Sequence, residues 1–128
     1  MKLIAFDIDA VWTGRAPRGS AVEGLQIMSS FGWRFIWVTN DTVEYVRRAE
    51  PALGVKKSPV LTLSNYEWFE SVAGASSEPA PVASMLVGTR DESMMLFFMI
   101  VLRCSSYVRY QGLESLDFLF PPPDDRTD

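Results

Sequence analysis

Two acidic residues and one hydroxyl residue follow apolar runs near the start of the chain. Residues 3–6 lead into Asp7 and Asp9, and residues 33–38 lead into Thr39. Each apolar run is typical of a buried parallel strand, and open α/β sheets bind ligands at the carboxyl ends of such strands. Two carboxylates and a hydroxyl at that edge indicate metal-assisted phosphoryl transfer.

The spacing of the two acids suits a metal ion beside a phosphate. Asp7 and Asp9 are two residues apart, so in a continued strand both side chains would lie on one face. Mg²⁺ prefers oxygen ligands and is the usual cation beside phosphate. One carboxylate can attack phosphorus and form an aspartyl-phosphate, while the other protonates the leaving group and then activates water. Thr39 and nearby backbone N–H groups can donate to phosphoryl oxygens.

These residues resemble the first two motifs of the haloacid dehalogenase superfamily. The segment from Asp7 to Val11 is similar to the family's DxDx(T/V) motif, and Thr39 ends an apolar strand as in the second motif. The resemblance implies a Rossmann-like fold, Mg²⁺ dependence and phosphatase activity. It also implies that Asp7 is the nucleophile, Asp9 the general acid and base, and Thr39 the phosphate-binding hydroxyl. Ala10 stands where many members have glycine.

The resemblance implies two further parts of the site downstream. A Lys or Arg should balance the phosphate charge, and Lys57 is assigned that role, with Lys56 and Arg90 as the other candidates. Acidic residues after the fourth strand should complete the metal site, and Asp91 is the best match, followed by Glu92. The predicted Mg²⁺ ligands are therefore three carboxylates: Asp7, Asp9 and Asp91.

Three side chains are predicted to contact the substrate. Thr39 and Asn40 would bind it, and Trp12, just past the nucleophile, would form a wall of the pocket. Arg15 and Arg18 flank the following loop and form a small basic patch there. The short chain without a large insertion resembles capless members of the family, so the expected partner is a small phosphomonoester or a phosphorylated end.

Each candidate residue also has a structural explanation. Asp7 and Asp9 suit a solvated turn after a strand, and Thr39 suits a helix N-cap. Lys57 suits a solvated loop, and Asp91 suits the first turn of a helix, where a negative charge is favourable. Three functions therefore stay open: a Mg²⁺-dependent phosphatase, a catalytically weak domain that binds a phosphorylated ligand or a partner protein, and a receiver-like phosphoacceptor module.

Alternating strands and helices must position these residues. The pattern predicts a three-layer α/β/α sandwich with a mainly parallel, Rossmann-like sheet. Ser20 would cap a first helix that Gly32 ends, and Asn40 or Asp41 would cap a second one that Pro51 interrupts. The remaining predicted elements are a strand at 59–63, a helix at 65–72, a loop at 73–81, a strand at 82–87, a short helix at 91–95 running into a strand that ends at 102, and a helix at 112–120.

Composition limits the classes of function. The 128 residues are 48% hydrophobic, which predicts one domain over 1–120 and a flexible acidic tail over 121–128. The chain has no histidine and one cysteine, which excludes His-based catalysis and intrachain disulfides. A net charge of −4 argues against nucleic-acid binding. The longest apolar run, 94–102, is too short to span a membrane, and a cytoplasmic protein is expected.

Overall fold

The computed structural model describes residues 3–66, 83, 85–104 and 106–110. Five strands and three α-helices follow one another in this part of the chain, and a short 3₁₀ turn, Ile8–Ala10, follows the first strand. In chain order they are β1 (Leu3–Asp7), α1 (Ala21–Ser30), β2 (Arg34–Val38), α2 (Val43–Leu53), β3 (Val60–Leu61), β4 (Leu86–Gly88), α3 (Glu92–Leu102) and β5 (Tyr107–Arg109).

The five strands form one sheet with the order β3-β2-β1-β4-β5, and every pair of neighbours is parallel. The chain moves outward from β1 through β2 and β3, and then continues on the other side of β1 with β4 and β5. In doubly wound folds such a reversal marks the crevice where ligands bind, and here that position is at the carboxyl ends of β1 and β4. The predicted α/β class with a parallel, Rossmann-like sheet is confirmed.

Helices cover both faces of this sheet. Ile4 and Phe6 of β1 lie in a core cluster with residues of α1 and α2, whereas Ala5, between them, lies in a second cluster with residues of α3. Successive side chains of a strand point to opposite faces, so this alternation places two helices on one face and one on the other. The predicted three layers are confirmed.

The ends of α1 and α2 follow local rules. Gly32 has φ +90° after α1, and the Trp33 N–H donates to the Met28 carbonyl at 3.1 Å, which is a Schellman motif. The predicted cap of α2 was wrong, because Thr42 is the cap and its hydroxyl accepts from the Tyr45 N–H at 3.3 Å. The helix also continues through Pro51 to Leu53 instead of breaking.

The prediction for 91–102 was wrong in its second half. The whole segment from Glu92 to Leu102 is α-helix, and the strand of this region is β5, which was not predicted. Buried side chains recur at helical spacing, at Met95, Phe98, Met99 and Leu102. Two parallel neighbouring strands need a crossover connection, and α3 supplies it between β4 and β5 despite the β-branched residues it contains.

Other boundaries differ in length. β3 has two residues rather than five, and β4 is described only over Leu86–Gly88. The predicted helices at 65–72 and 112–120, the loop at 73–81 and the tail at 121–128 lie outside the described residues, apart from Asn65 and Tyr66. The single domain over 1–120 stays a prediction. No helix in the described part of the chain is long and apolar enough to cross a membrane.

Candidate functional site

Asp7 is the last residue of β1 and lies at the crevice. It is paired in register with Val38 of β2, and Phe6 before it is paired with Val87 of β4. Its residue surface is only 5% exposed. Because β1 is the central strand of the order, strands lie on both sides of Asp7 and its carboxyl group is shielded from solvent.

Burial changes the acidity of Asp7. Desolvation is the largest effect and raises the pKa of its carboxyl from 3.8 to about 6. The backbone N–H of Asp9, which donates to Asp7 Oδ1 at 3.2 Å, lowers this pKa, the charge of Asp9 raises it, and the charge of Arg90 lowers it. The carboxyl is therefore mostly ionised at neutral pH, which is the form needed for nucleophilic attack.

The 3₁₀ turn after β1 determines where Asp9 lies. Its side chain is held between two groups that come from distant parts of the chain. The Tyr45 hydroxyl donates to Asp9 Oδ1 at 3.4 Å, and Arg90 Nη2 lies 3.5 Å from Oδ2. Arg18 Nε donates to the Asp9 carbonyl at 2.8 Å. Asp9 is thus oriented by α2, by the loop after β4 and by the loop before α1.

Thr39 lies at the same edge, directly after β2. It is 2% exposed, and its hydroxyl oxygen accepts a hydrogen bond from the Asp41 N–H at 2.9 Å. A hydroxyl that accepts still has one proton to donate. This arrangement fixes the Oγ1 position and leaves its hydrogen for an oxygen in the crevice. Asn40, the next residue, is exposed beside it.

The end of β4 comes very close to Asp7. A Cβ added at Gly88 would lie 2.8 Å from the Tyr107 hydroxyl oxygen and 3.4 Å from the Asp7 Cβ, so any other residue there would force the Tyr107 side chain to shift. The Tyr107 hydroxyl donates to the backbone carbonyl of Arg90. This hydrogen bond fixes the backbone of the loop after β4, from which the Arg90 guanidinium extends. Burial, followed by the charge of Asp7, raises the pKa of Tyr107, so its hydroxyl remains a donor.

Asp91 lies at this edge of the sheet but does not join the other two acids. Its Oδ1 forms an exposed ion pair with Arg109 Nη1 at 3.1 Å. The described residues contain no group of three His, Cys, Asp or Glu side chains that could hold a metal ion. The predicted triad of ligands is therefore not assembled here, and Asp7 and Asp9 are the two carboxylates that lie together.

The structure places Lys57, the cation predicted for the site, at the opposite edge of the sheet from Asp7. Lys57 precedes β3 and lines a cleft together with Leu3 and Arg34, the first residues of β1 and β2. The sheet is parallel, so that cleft is at the amino ends of the strands, whereas Asp7 is at a carboxyl end. Arg90, the alternative cation, lies beside the Asp9 carboxylate.

Trp12 offers little surface to a substrate. It is 6% exposed, belongs to the core cluster of α1 and α2, and forms an isolated antiparallel bridge with Pro17. The indole is therefore packed in this core cluster and has almost no exposed surface for a substrate to contact. Of the three residues predicted to contact substrate, Thr39 and Asn40 follow β2 at the crevice edge.

Tyr45 and Tyr107 are the site residues that the sequence reasoning missed. Tyr45 could have been identified from the sequence, because it lies in the first turn of a helix that follows β2, and such turns face the carboxyl edge of a parallel sheet. Tyr107 could not have been identified, because its position depends on β5, which was not predicted. Arg18 was noted only as part of a basic patch with Arg15.

Comparison with known proteins supports the fold. No protein-family model matches the sequence, and no curated protein is similar enough to count as a relative. Among solved structures, D,D-heptose 1,7-bisphosphate phosphatase from Burkholderia thailandensis is similar, with a TM-score of 0.58 and 15% sequence identity. The match covers 94% of this chain and 100% of that chain. At this identity the similarity shows a shared fold alone.

Proposed function

We propose that this protein is a phosphohydrolase that acts through an aspartyl-phosphate at Asp7 on a small phosphomonoester or a phosphorylated end. The observation that carries the proposal is the convergence of Asp7, Asp9, Thr39 and Arg90 at one edge of the sheet, beside the reversal of strand order. The fold shared with a phosphatase and the resemblance of the first two motifs to haloacid dehalogenases support it.

The proposed reaction has two steps. In the first, an Asp7 oxygen forms a bond to phosphorus, the bond to the ester oxygen breaks, and protonated Asp9 gives its proton to the departing alcohol. In the second, Asp9 takes a proton from water, the water oxygen attacks phosphorus, and the bond to Asp7 breaks to release phosphate. Thr39 donates to a phosphoryl oxygen, and Arg90 balances negative charge on the phosphoryl group.

The site can hold Mg²⁺ with fewer protein ligands than the three carboxylates that the sequence predicted. One or two carboxylates are enough for Mg²⁺ when substrate phosphate and retained waters supply the other ligands, and that is the usual arrangement beside phosphate. Asp7 would hold the ion, because Asp9 has to carry the proton for the leaving group and both of its carboxylate oxygens already have partners. Bound there, it would neutralise negative charge on the phosphoryl group. Asp91 is not needed for this arrangement, because its carboxylate is engaged by Arg109.

A second candidate function is a domain that binds a phosphorylated ligand with little turnover. The contacts of Asp9 favour it, since Arg90 and Tyr45 already occupy both of its carboxylate oxygens. The receiver-like alternative has less support. Its phosphorylated aspartate would end the third strand, and residues 62–65 after β3 are Thr62, Leu63, Ser64 and Asn65.

Turnover of an aryl phosphate separates the two candidates. For the phosphatase, wild-type protein with Mg²⁺ releases phosphate, chelation stops it, and Asp7→Asn lowers kcat by roughly a thousandfold or more. Glu23→Gln, an exposed acid on α1, is the control of matched charge. Asp91→Asn should keep kcat within about fivefold, because an exposed ion pair is worth about 0–1 kcal/mol.

The opposite results are equally clear. If folded wild-type protein binds inorganic phosphate, loses this binding in Arg90→Gln and turns over none of a broad panel of phosphate esters, the binding domain is the correct function. Loss of activity in Asp91→Asn equal to that in Asp7→Asn would mean that Asp91 is a ligand of the working site. Both results are read beside circular dichroism spectra that show the native fold.

A further inference from the structure

A cleft of about 700 Å³ lies at the amino edge of the sheet. Its walls include Leu3 of β1, Trp33 and Arg34 at the start of β2, and residues 54–59 ahead of β3. The five residues of β1 advance about 3.3 Å each, so Leu3 and Asp7 are about 13 Å apart. The cleft is therefore separate from the candidate active site, and its volume is that of small-molecule pockets.

Positive charge is concentrated in this cleft. Arg34, Lys56 and Lys57 line it, and its described lining residues include no Asp or Glu. The whole chain has a formal charge of −4, so a concave surface with three cations is of opposite sign to the chain as a whole. The lining therefore suits an anion.

The C-termini of α1 and α2 can offset only part of the positive charge in this cleft. Ser29 near the end of α1 and Gly54 at the end of α2 both line the cleft, and helix C-termini favour nearby cations. Each C-terminus carries about half a negative charge, so two of them offset about one of the three cations. About two positive charges remain, which matches the charge of a phosphate monoester.

The loop that carries the lysines is held in place from the core. Glu50 is 4% exposed, and its Oε2 accepts from the Ser58 N–H at 2.8 Å. Arg47 Nη1 donates to the Ser58 carbonyl at 2.7 Å and pairs with Glu50 at 2.9 Å. Trp37 Nε1 donates to the same carboxylate. Binding of a ligand would therefore cause little further loss of conformational entropy in the backbone beside Lys57.

We propose that this cleft, lined by Arg34, Lys56 and Lys57, binds a phosphorylated small molecule. Its dianionic phosphate would lie among the three cations, and its apolar or ring portion would lie against Trp33 and Val55. The described lining residues offer no carboxylate to act as nucleophile or base, so this is a binding site and not a second catalytic centre. The proposal does not depend on the reaction proposed for Asp7.

Phenylphosphonate is a suitable probe, because it has a ring and a phosphonate dianion but no ester bond to hydrolyse. Its binding can be followed through the indole N–H signals of Trp33 and Trp12 in ¹H–¹⁵N spectra, with Trp33→Phe identifying the first signal. We expect a saturable shift of the Trp33 signal. Arg34→Gln and Lys57→Gln should each weaken the affinity by about tenfold, as expected for a lost charged hydrogen bond.

Arg48→Gln is the matched control, since Arg48 is exposed on α2 and is not among the described residues of the cleft. It should change the affinity less than twofold. The proposal is overturned if the Trp33 signal does not move, or if Arg48→Gln weakens binding as much as Lys57→Gln. A shift of the Trp12 signal alone would also overturn it. Both cleft variants change exposed side chains, and their spectra report their folding directly.

Discussion

Asp7 shows how stability and function can conflict in one residue. Its carboxyl is buried, and its pKa of about 6 lies above the ordinary value of 3.8. A carboxyl with a raised pKa holds more protons in the folded state than in the unfolded state between about pH 4 and 6, so stability falls as pH rises through that interval. At neutral pH the ionised group costs the fold about 3 kcal/mol.

Asp7→Asn should therefore stabilise the protein while it removes activity. The amide keeps the shape and the acceptor for the Asp9 N–H but carries no charge to desolvate. We expect a Tm several degrees higher than wild type at pH 7, and a difference that shrinks as the pH falls to 4 and approaches zero below that, where Asp7 becomes protonated in both states. Thermal melts across this pH range measure the difference.

The exposed acid Glu23 provides the comparison, because Glu23→Gln should change Tm little at either pH. An Asp7→Asn protein that is less stable than wild type at pH 7 would contradict the pKa assigned to Asp7. A gain that is the same at pH 4 and pH 7 would contradict it as well, since it could not come from the charge.

The immediate surroundings of Asp9 also belong to the residue scale. Burial, followed by the charge of Asp9, raises the pKa of Tyr45, which keeps that hydroxyl protonated and able to donate to the carboxylate. Arg90 approaches the other oxygen. These two contacts hold the side chain in one orientation, and a substrate would have to displace one of them before Asp9 could pass a proton to the leaving oxygen.

At the scale of elements, short-range patterns predicted β1, β2, α1 and α2. Their apolar runs, helical stripes and terminal glycines are local signals, and the structure has these elements at close to the predicted bounds. Asp7, Asp9 and Thr39 could be found for the same reason, since each directly follows a strong strand signal. The position of Lys57 could not be predicted in this way, because it depends on which edge of the sheet the loop before β3 lies at.

The helix α3 shows where local pattern fails. Residues 94–102 are apolar at every position, so the buried and exposed faces look alike in the sequence and no period can be read. Met94 and Ile100 are exposed although they are apolar. A helix is required here because the chain must cross from β4 to the parallel strand β5. This requirement can be recognised only when β5 is known.

A pair of alanine substitutions tests the helical assignment of α3. Leu102 is fully buried and Ile100 is 73% exposed. In a strand these two residues would share a face, whereas in a helix they do not. Leu102→Ala should lower the free energy of unfolding by about 2–5 kcal/mol, and Ile100→Ala by less than about 0.5 kcal/mol. Urea denaturation measures both, and equal losses would contradict the helix.

At the scale of the molecule, the sheet brings together residues that are far apart in sequence. Asp7 and Thr39 end neighbouring strands, and Arg90 follows β4 on the other side of β1. The amino edge of the same sheet carries Arg34 and Lys57. The strand order therefore separates an edge with buried acid from an edge with exposed cations, a division that the net charge of the chain conceals.

Binding of Mg²⁺ should stabilise the whole fold through Asp7. A ligand that binds only the folded state adds about 2.7 kcal/mol at a hundred times its Kd, so Tm should rise with Mg²⁺ over the millimolar range. Asp7→Asn should lose this rise. NaCl of equal ionic strength is the control for screening. An unchanged wild-type Tm, or an equal rise in Asp7→Asn, would contradict a metal site formed by the Asp7 carboxylate.

The most direct test of the proposed function is to find the phosphoryl group on the protein. Wild-type protein is mixed with an aryl phosphate and Mg²⁺, quenched in acid during turnover and digested, and its peptides are weighed by mass spectrometry. We predict one added phosphoryl group at Asp7, sensitive to hydroxylamine and absent from Asp7→Asn. Turnover with no modified peptide, or with the phosphoryl group on another residue, would contradict the account.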